Sequence, residues 1–194
     1  MRISIYATFA ALLVCTGAID QQGMSDNGEW LYYGGDQGNT KYSALDQINA
    51  SNAKNLKVVW EWQSPDDVIA KGNRALTPFL NEQTPLVVDG VMYVTTSFAQ
   101  AAAIDPVSGE TLWTFDSESY KAGRPTNLGF VHRGPTYWRD GDDAREDRPT
   151  HAKKLWTLDA NTGQPAAGFV NRQLHRLFRR HHSVFCVALT AVDA

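Results

Sequence analysis

Two places in the 194-residue chain carry side chains with chemistry to offer. The first is Val131-His132-Arg133-Gly134, delivered by a long Gly/Pro-containing excursion, residues 116–130. Excursions of that length inside a compact domain are usually functional. Arg133 presents a planar fork of donors matched to a carboxylate, and taken alone it reads as half of a surface ion pair. Glu82, taken alone, is a solvated carboxylate at the start of a strand. The second place is the C-terminal stretch, where His175, His181 and His182 lie among Arg172, Arg176, Arg179 and Arg180. Three histidines invite a metal-site reading, but no helix or strand period brings all three to one face beside a carboxylate. They read instead as part of a basic amphipathic segment.

The elements that must position these groups begin after residue 18. Arg2, the apolar run from Ile3 to Val14 and the small residues Thr16-Gly17-Ala18 read as a secretory signal, so 1–18 is expected to be removed and the protein exported to the periplasm. The competing reading is an uncleaved anchor, which would tie the protein to a membrane. With Cys15 removed, Cys186 stands alone and no intrachain disulfide can form. A net charge of −3 gives no reason to expect a nucleic-acid partner. The charge is uneven: residues 170–194 hold four of the 18 Lys and Arg, one of the 21 Asp and Glu, and three of the five His. That shift marks a boundary.

Pro85 to Phe115 contains four strand signals with a turn signal in each gap. Leu86 to Val88 and Val91 to Thr95 flank Asp89-Gly90, the dipeptide of a type I′ hairpin. Ala101 to Ile104 is a third run, and Pro106 to Gly109 turns the chain into Thr111 to Phe115. Four antiparallel strands in about thirty residues make one β-propeller blade. One blade cannot bury both faces, so a second should follow. Asp105, Ser108 and Gly109 indeed recur as Asp159, Thr162 and Gly163 at one constant offset. The fold expected is therefore all-β, a partial β-propeller over residues 28–169 with an irregular C-terminal tail.

Other stretches give sharper or weaker expectations. Val58 to Trp62 alternates as a strand and is expected to end an incomplete or circularly closing blade, and Ser64 to Leu80 reads as a polar connection over the top face. At Arg145 to Pro149 four charges and a proline stand where an apolar central strand is wanted. From Val170 the repeat does not return. The tail is expected to be a basic helix with Val184 to Val192 as its apolar continuation, belonging to no propeller, out of frame or unrelated to the ancestral chain. The six tryptophans are expected to brace blades rather than stack on a ligand.

Ala103-x-Asp105-x-x-Ser108-Gly109-x-x-x-Trp113 resembles the tryptophan-docking repeat of pyrroloquinoline quinone (PQQ) dehydrogenases, in which the ring packs between neighbouring blades. Non-enzymatic propellers use that repeat too, but three further segments sharpen the match. Trp30-x-x-Tyr33-Gly34-Gly35-Asp36 with Tyr42-Ser43 and Gln47-Ile48-Asn49, then Glu82-Gln83-Thr84-Pro85, then His132-Arg133-Gly134 with Tyr137-Trp138, follow the order of the quinoprotein glucose and alcohol dehydrogenases. The resemblance covers residues 28 to 169. It implies about two to three blades of an eight-bladed propeller holding PQQ and calcium, which oxidises a sugar or alcohol CH–OH group and passes electrons to a respiratory quinone or cytochrome. It assigns three cofactor-binding residues. Arg133 pairs with PQQ, a flat quinone with three carboxylates. Glu82 contacts it and, to avoid repulsion, should accept its pyrrole N–H or be protonated. Thr150 falls near a PQQ-binding threonine, in a turn reading Pro149-Thr150-His151-Ala152 here instead of Gly-Thr-x-Asp.

Departures limit the expectation. Many family members carry adjacent cysteines over PQQ, where this chain has Asn127-Leu128. The calcium-ligating glutamate and asparagine, the stacking tryptophan and the aspartate base belong to later blades, so this chain by itself is expected not to turn over. The competing reading is a non-catalytic propeller scaffold that binds partner proteins through its top face.

Overall fold

Asp89 and Gly90 close the first hairpin with φ of +50° and +76°, the two left-handed residues that a type I′ turn requires. The structure, a computed structural model, describes residues 28–71, 73–125, 128–140, 143–149, 155–165 and 189–192. The expected signal segment 1–18, Thr150 and the tail histidines lie outside the described residues. Among the described residues one α-helix, α1 (Asp66–Ala70), precedes the strands β1 (Pro78–Asn81), β2 (Leu86–Val88), β3 (Val91–Thr95), β4 (Ala101–Ile104), β5 (Thr111–Phe115), β6 (Phe130–His132), β7 (Thr136–Asp140), β8 (Asp143–Pro149), β9 (Leu155–Asp159) and β10 (Leu189–Val192).

The sheet β2-β3-β4-β5 is antiparallel throughout, as one blade should be. Strand alternation sends its side chains to two different neighbours. On one face Leu86, Val88, Tyr93 and Ala103 form a core with Ala160 of the second repeat, flanked by Trp30, Trp113 and Tyr137. On the other, Val94, Ala102 and Ile104 pack with Met92 against Trp60 and Trp62. β4 is buried on both faces and is nearly all alanine because large aromatic rings occupy the space above it.

The two repeats are braced in the same way. Asp105 accepts the N–H groups of Val107 and Ser108, and Gly109 N–H returns to the Asp105 carbonyl. Asp159 accepts those of Asn161 and Thr162, and Gly163 N–H returns to the Asp159 carbonyl. Both glycines then carry a tryptophan. Trp60 lies on Gly109 and donates to the Pro106 carbonyl at 3.1 Å, while Trp113 lies on Gly163 and donates to the Ala160 carbonyl at 2.8 Å. Tyr93 against Tyr137 and Phe115 edge-on to Trp156 complete the seam between the two sheets. The partial propeller follows the sequence, and so does the bracing role of Trp60 and Trp113.

Four stretches differ from expectation. Val58 to Trp62 is extended but forms no strand, because among the described residues no neighbouring strand meets its backbone; its tryptophans cover the first blade while Val58 and Val59 face solvent. Residues 64–80 are more than a connection, since they contribute α1 and the start of β1. Arg145 to Pro149 does belong to a central strand, β8, paired with β7 and with β9 on its two sides. Main-chain pairing on both edges overrides the unfavourable composition. Finally, Leu189–Val192 is a strand and not a helix, and it joins the second sheet, parallel to β9 and touching β8 in antiparallel register. The tail from residue 166 to 188 lies outside the described residues.

Candidate functional site

Arg133 and Glu82 are far apart in sequence and are brought together by the parallel pair β1 and β6. Asn81 faces His132 in that ladder, and Glu82 N–H donates to the His132 carbonyl at 3.1 Å. Each functional residue therefore leaves the end of one strand at the same level. Alternation decides which way each side chain goes. Phe130 and His132 are buried on β6, with Phe130 edge-on to Phe98 at 4.7 Å, so Arg133 is left on the solvent side. There Arg133 Nη2 lies 3.4 Å from Glu82 Oε2, with the two side chains 60% and 41% exposed.

Both readings of Arg133 meet in this geometry. It is half of a surface ion pair, and its partner is the residue expected to share a ligand with it. An ion pair this exposed contributes about 0–1 kcal/mol, so an anionic ligand can draw the guanidinium away at little cost. Beneath the pair the structure is polar and buried. His132 Nδ1 lies 2.8 Å from Thr95 Oγ1 and accepts Gly134 N–H at 3.2 Å. Thr95 N–H donates to Gln83 Oε1 at 2.7 Å. The sequence gives Thr95, Gln83 and His132 no role of their own beyond strand and motif positions, because a buried hydrogen-bond chain between three separate segments has no linear signature.

The long excursion is anchored rather than loose. Ser119 Oγ donates to the Phe98 carbonyl at 3.1 Å, and Ser117 and Ser119 are buried. Asp66 of α1, also buried, accepts from Thr96 Oγ1 and Phe98 N–H, holding the loop after β3. Among the described residues no group of three or more His, Cys, Asp or Glu could hold a metal ion. Thr150 lies outside the described residues, so two of the three expected cofactor contacts, Glu82 and Arg133, are seen side by side.

The donor set can be tested against PQQ. A tricarboxylate quinone needs cations, donors and an acceptor for its pyrrole N–H; Arg133 offers the first two on an open face and Glu82 the third. The pair fits one edge of such a molecule. One cation does not neutralise three carboxylates, so further contacts must come from elsewhere.

Sheets built on Asp-turn-Gly repeats, each glycine covered by a tryptophan from an earlier segment of the chain, define the class: a β-propeller. Residues 30–180 match the PQQ family model described as the glucose/ethanol/alcohol dehydrogenase beta-propeller domain, and the chain belongs to that family. The dehydrogenase subunit of alcohol dehydrogenase (quinone) from Gluconacetobacter polyoxogenes is 35% identical over 84% of this chain and 20% of its own length. The quinoprotein glucose dehydrogenase of Gluconobacter oxydans is 31% identical over 74% of this chain and 19% of its own. The crystal structure of the quinohemoprotein alcohol dehydrogenase from Comamonas testosteroni superposes with a TM-score of 0.56 at 32% identity, covering 73% of this chain and 19% of that one. The chain spans about a fifth of the length of the curated relatives it matches.

Proposed function

We propose that this chain is the N-terminal part of a periplasmic PQQ-dependent dehydrogenase that oxidises an alcohol or sugar CH–OH group, with calcium in the complete site and a respiratory quinone or cytochrome as electron acceptor. The observation that carries the reading is the convergence of Glu82 and Arg133 on one exposed face, each standing one residue past the end of one of two strands that pair in parallel. PQQ, when bound, supplies the two-electron acceptor for the CH–OH carbon. Arg133 holds an acidic edge of the quinone by charge-assisted hydrogen bonds, and Glu82, released from the guanidinium, offers its carboxylate as acceptor. No residue of this chain is assigned the role of proton-abstracting base, and the chain by itself is expected to bind without turnover.

Equilibrium dialysis of PQQ against the chain, with and without Ca²⁺, tests the reading. Arg133→Ala is expected to weaken binding by about 10- to 100-fold, the worth of a lost charge-assisted hydrogen bond. Arg133→Lys should fall between, because a point charge replaces the planar fork. Equal affinity for wild type and Arg133→Ala would refute the assignment.

A further inference from the structure

His132, next to Arg133 in the chain, is buried at 5% exposure, and a polar side chain that deep needs hydrogen-bond partners. Its neighbours in the fold are unusual in one respect: the residues flanking both members of the pair are fastened to the same point. Glu82 sits between Asn81 and Gln83. Asn81 Nδ2 donates to the Thr95 carbonyl at 3.5 Å, and Gln83 Oε1 accepts from Thr95 N–H at 2.7 Å. Arg133 sits between His132 and Gly134, and both meet at His132 Nδ1, itself 2.8 Å from Thr95 Oγ1. Gly134 has φ of +105° and packs against Gln83, where an added Cβ would lie 3.3 Å from Gln83 Cβ.

We propose that His132 is a positioning residue for the Glu82–Arg133 pair: its neutral imidazole, accepting at Nδ1, locks the Arg133 turn to Thr95 and through Thr95 to the Glu82 turn. The inference rests on the PQQ reading of that pair. A backbone N–H can only donate, so the Gly134 contact requires a lone pair on Nδ1 and places the ring proton on Nε2. Without that acceptor, the Gly134 amide loses its partner and the Thr95 hydroxyl keeps only its longer contact to Gln83 Oε1 at 3.3 Å, so the Arg133 turn is no longer tied to Thr95. An exposed pair gains its precision from such a buried support, since the pair's own attraction is too weak to hold long side chains in place.

The test uses the whole chain and three variants: His132→Phe, which keeps the bulk and removes the acceptor; His132→Asn, whose side-chain oxygen reaches the Nδ1 position; and Thr95→Val, isosteric without the hydroxyl. PQQ affinity by equilibrium dialysis is expected to fall about tenfold in His132→Phe and Thr95→Val and to be restored in His132→Asn. Amide hydrogen exchange, read without PQQ, should show Gly134 protected in wild type and His132→Asn and unprotected in His132→Phe. Should His132→Phe not fold, Thr95→Val alone decides the affinity question. Binding equal to wild type in the folded variants, or an unprotected Gly134 amide in wild type, overturns the positioning role alone. No binding of PQQ by wild type overturns the PQQ reading and this inference with it, and the two failures are thereby distinguishable.

Discussion

Asp66 shows how a single residue sets a pH dependence. Its carboxylate is buried at 3% exposure and accepts from Thr96 Oγ1 at 2.5 Å and from Phe98 N–H at 3.0 Å. Removal from water outweighs those hydrogen bonds and pushes its pKa above the ordinary 3.8. A raised carboxyl pKa means that the folded state holds the proton more tightly than the unfolded one. The stability it contributes is full below pH 3.8 and is lost as pH rises through the raised value. Asp36 and Asp105 act oppositely: the Thr40 hydroxyl beside Asp36, and the Val107 N–H beside Asp105, hold those carboxylates below 3.8, so their contribution is lost in acid. Comparing wild type with Asp66→Asn cancels both. Urea unfolding at a series of pH values is expected to show the stability of wild type relative to Asp66→Asn declining as pH rises above 3.8. A relative stability that climbs with pH would contradict the burial argument.

At the scale of elements, the tryptophan-on-glycine brace should be separable from the turn conformation that accompanies it. Gly90 and Gly109 share the same φ of +76°, but a Cβ at Gly90 meets nothing within 4 Å, whereas one at Gly109 would lie 2.6 Å from the Trp60 ring. Gly90→Ala should lose about 1–2 kcal/mol, the strain of a left-handed alanine. Gly109→Ala carries that strain and must also displace the ring, for a further loss of about 1–3 kcal/mol. Chemical denaturation of the two variants checks this, and equal losses would mean that Trp60 is not docked there. The first blade was legible because two of its three gaps held a turn with its own chemistry, Asp89-Gly90 and then Pro106 to Gly109. β8 was not, since its strand state comes from pairing with β7 and β9 and not from its own residues.

Among the described residues, burial is concentrated between the two sheets, under Trp60 and Trp62, and around Phe98 and Phe130, while Val58 and Val59 are 77% and 83% exposed on a segment without strand pairing. Replacing both by threonine should therefore shift the melting temperature of this chain by no more than about 4 °C, because each exposed substitution changes stability by about 0.5 kcal/mol or less. A drop of about 8 °C would show that the two valines are buried in solution, against a surface other than those described. The same wide exposure agrees with a chain that matches about a fifth of the length of its relatives.

Local chemistry in the sequence was enough to determine the blade and its repeat, since turn dipeptides, period-two alternation and the Asp-turn-Gly spacing act over a few residues and leave their mark in linear order; the candidacy of Glu82 and Arg133 came from the resemblance to the quinoprotein dehydrogenases. The tertiary structure alone decided that those two side chains meet, since their approach depends on β1 and β6 pairing in parallel across some fifty residues of intervening chain. It also decided that Thr95, Gln83 and His132 support them from below. Hydrogen bonds between segments distant in sequence depend on where the folded backbone places each donor and acceptor, and no spacing along the chain encodes that placement.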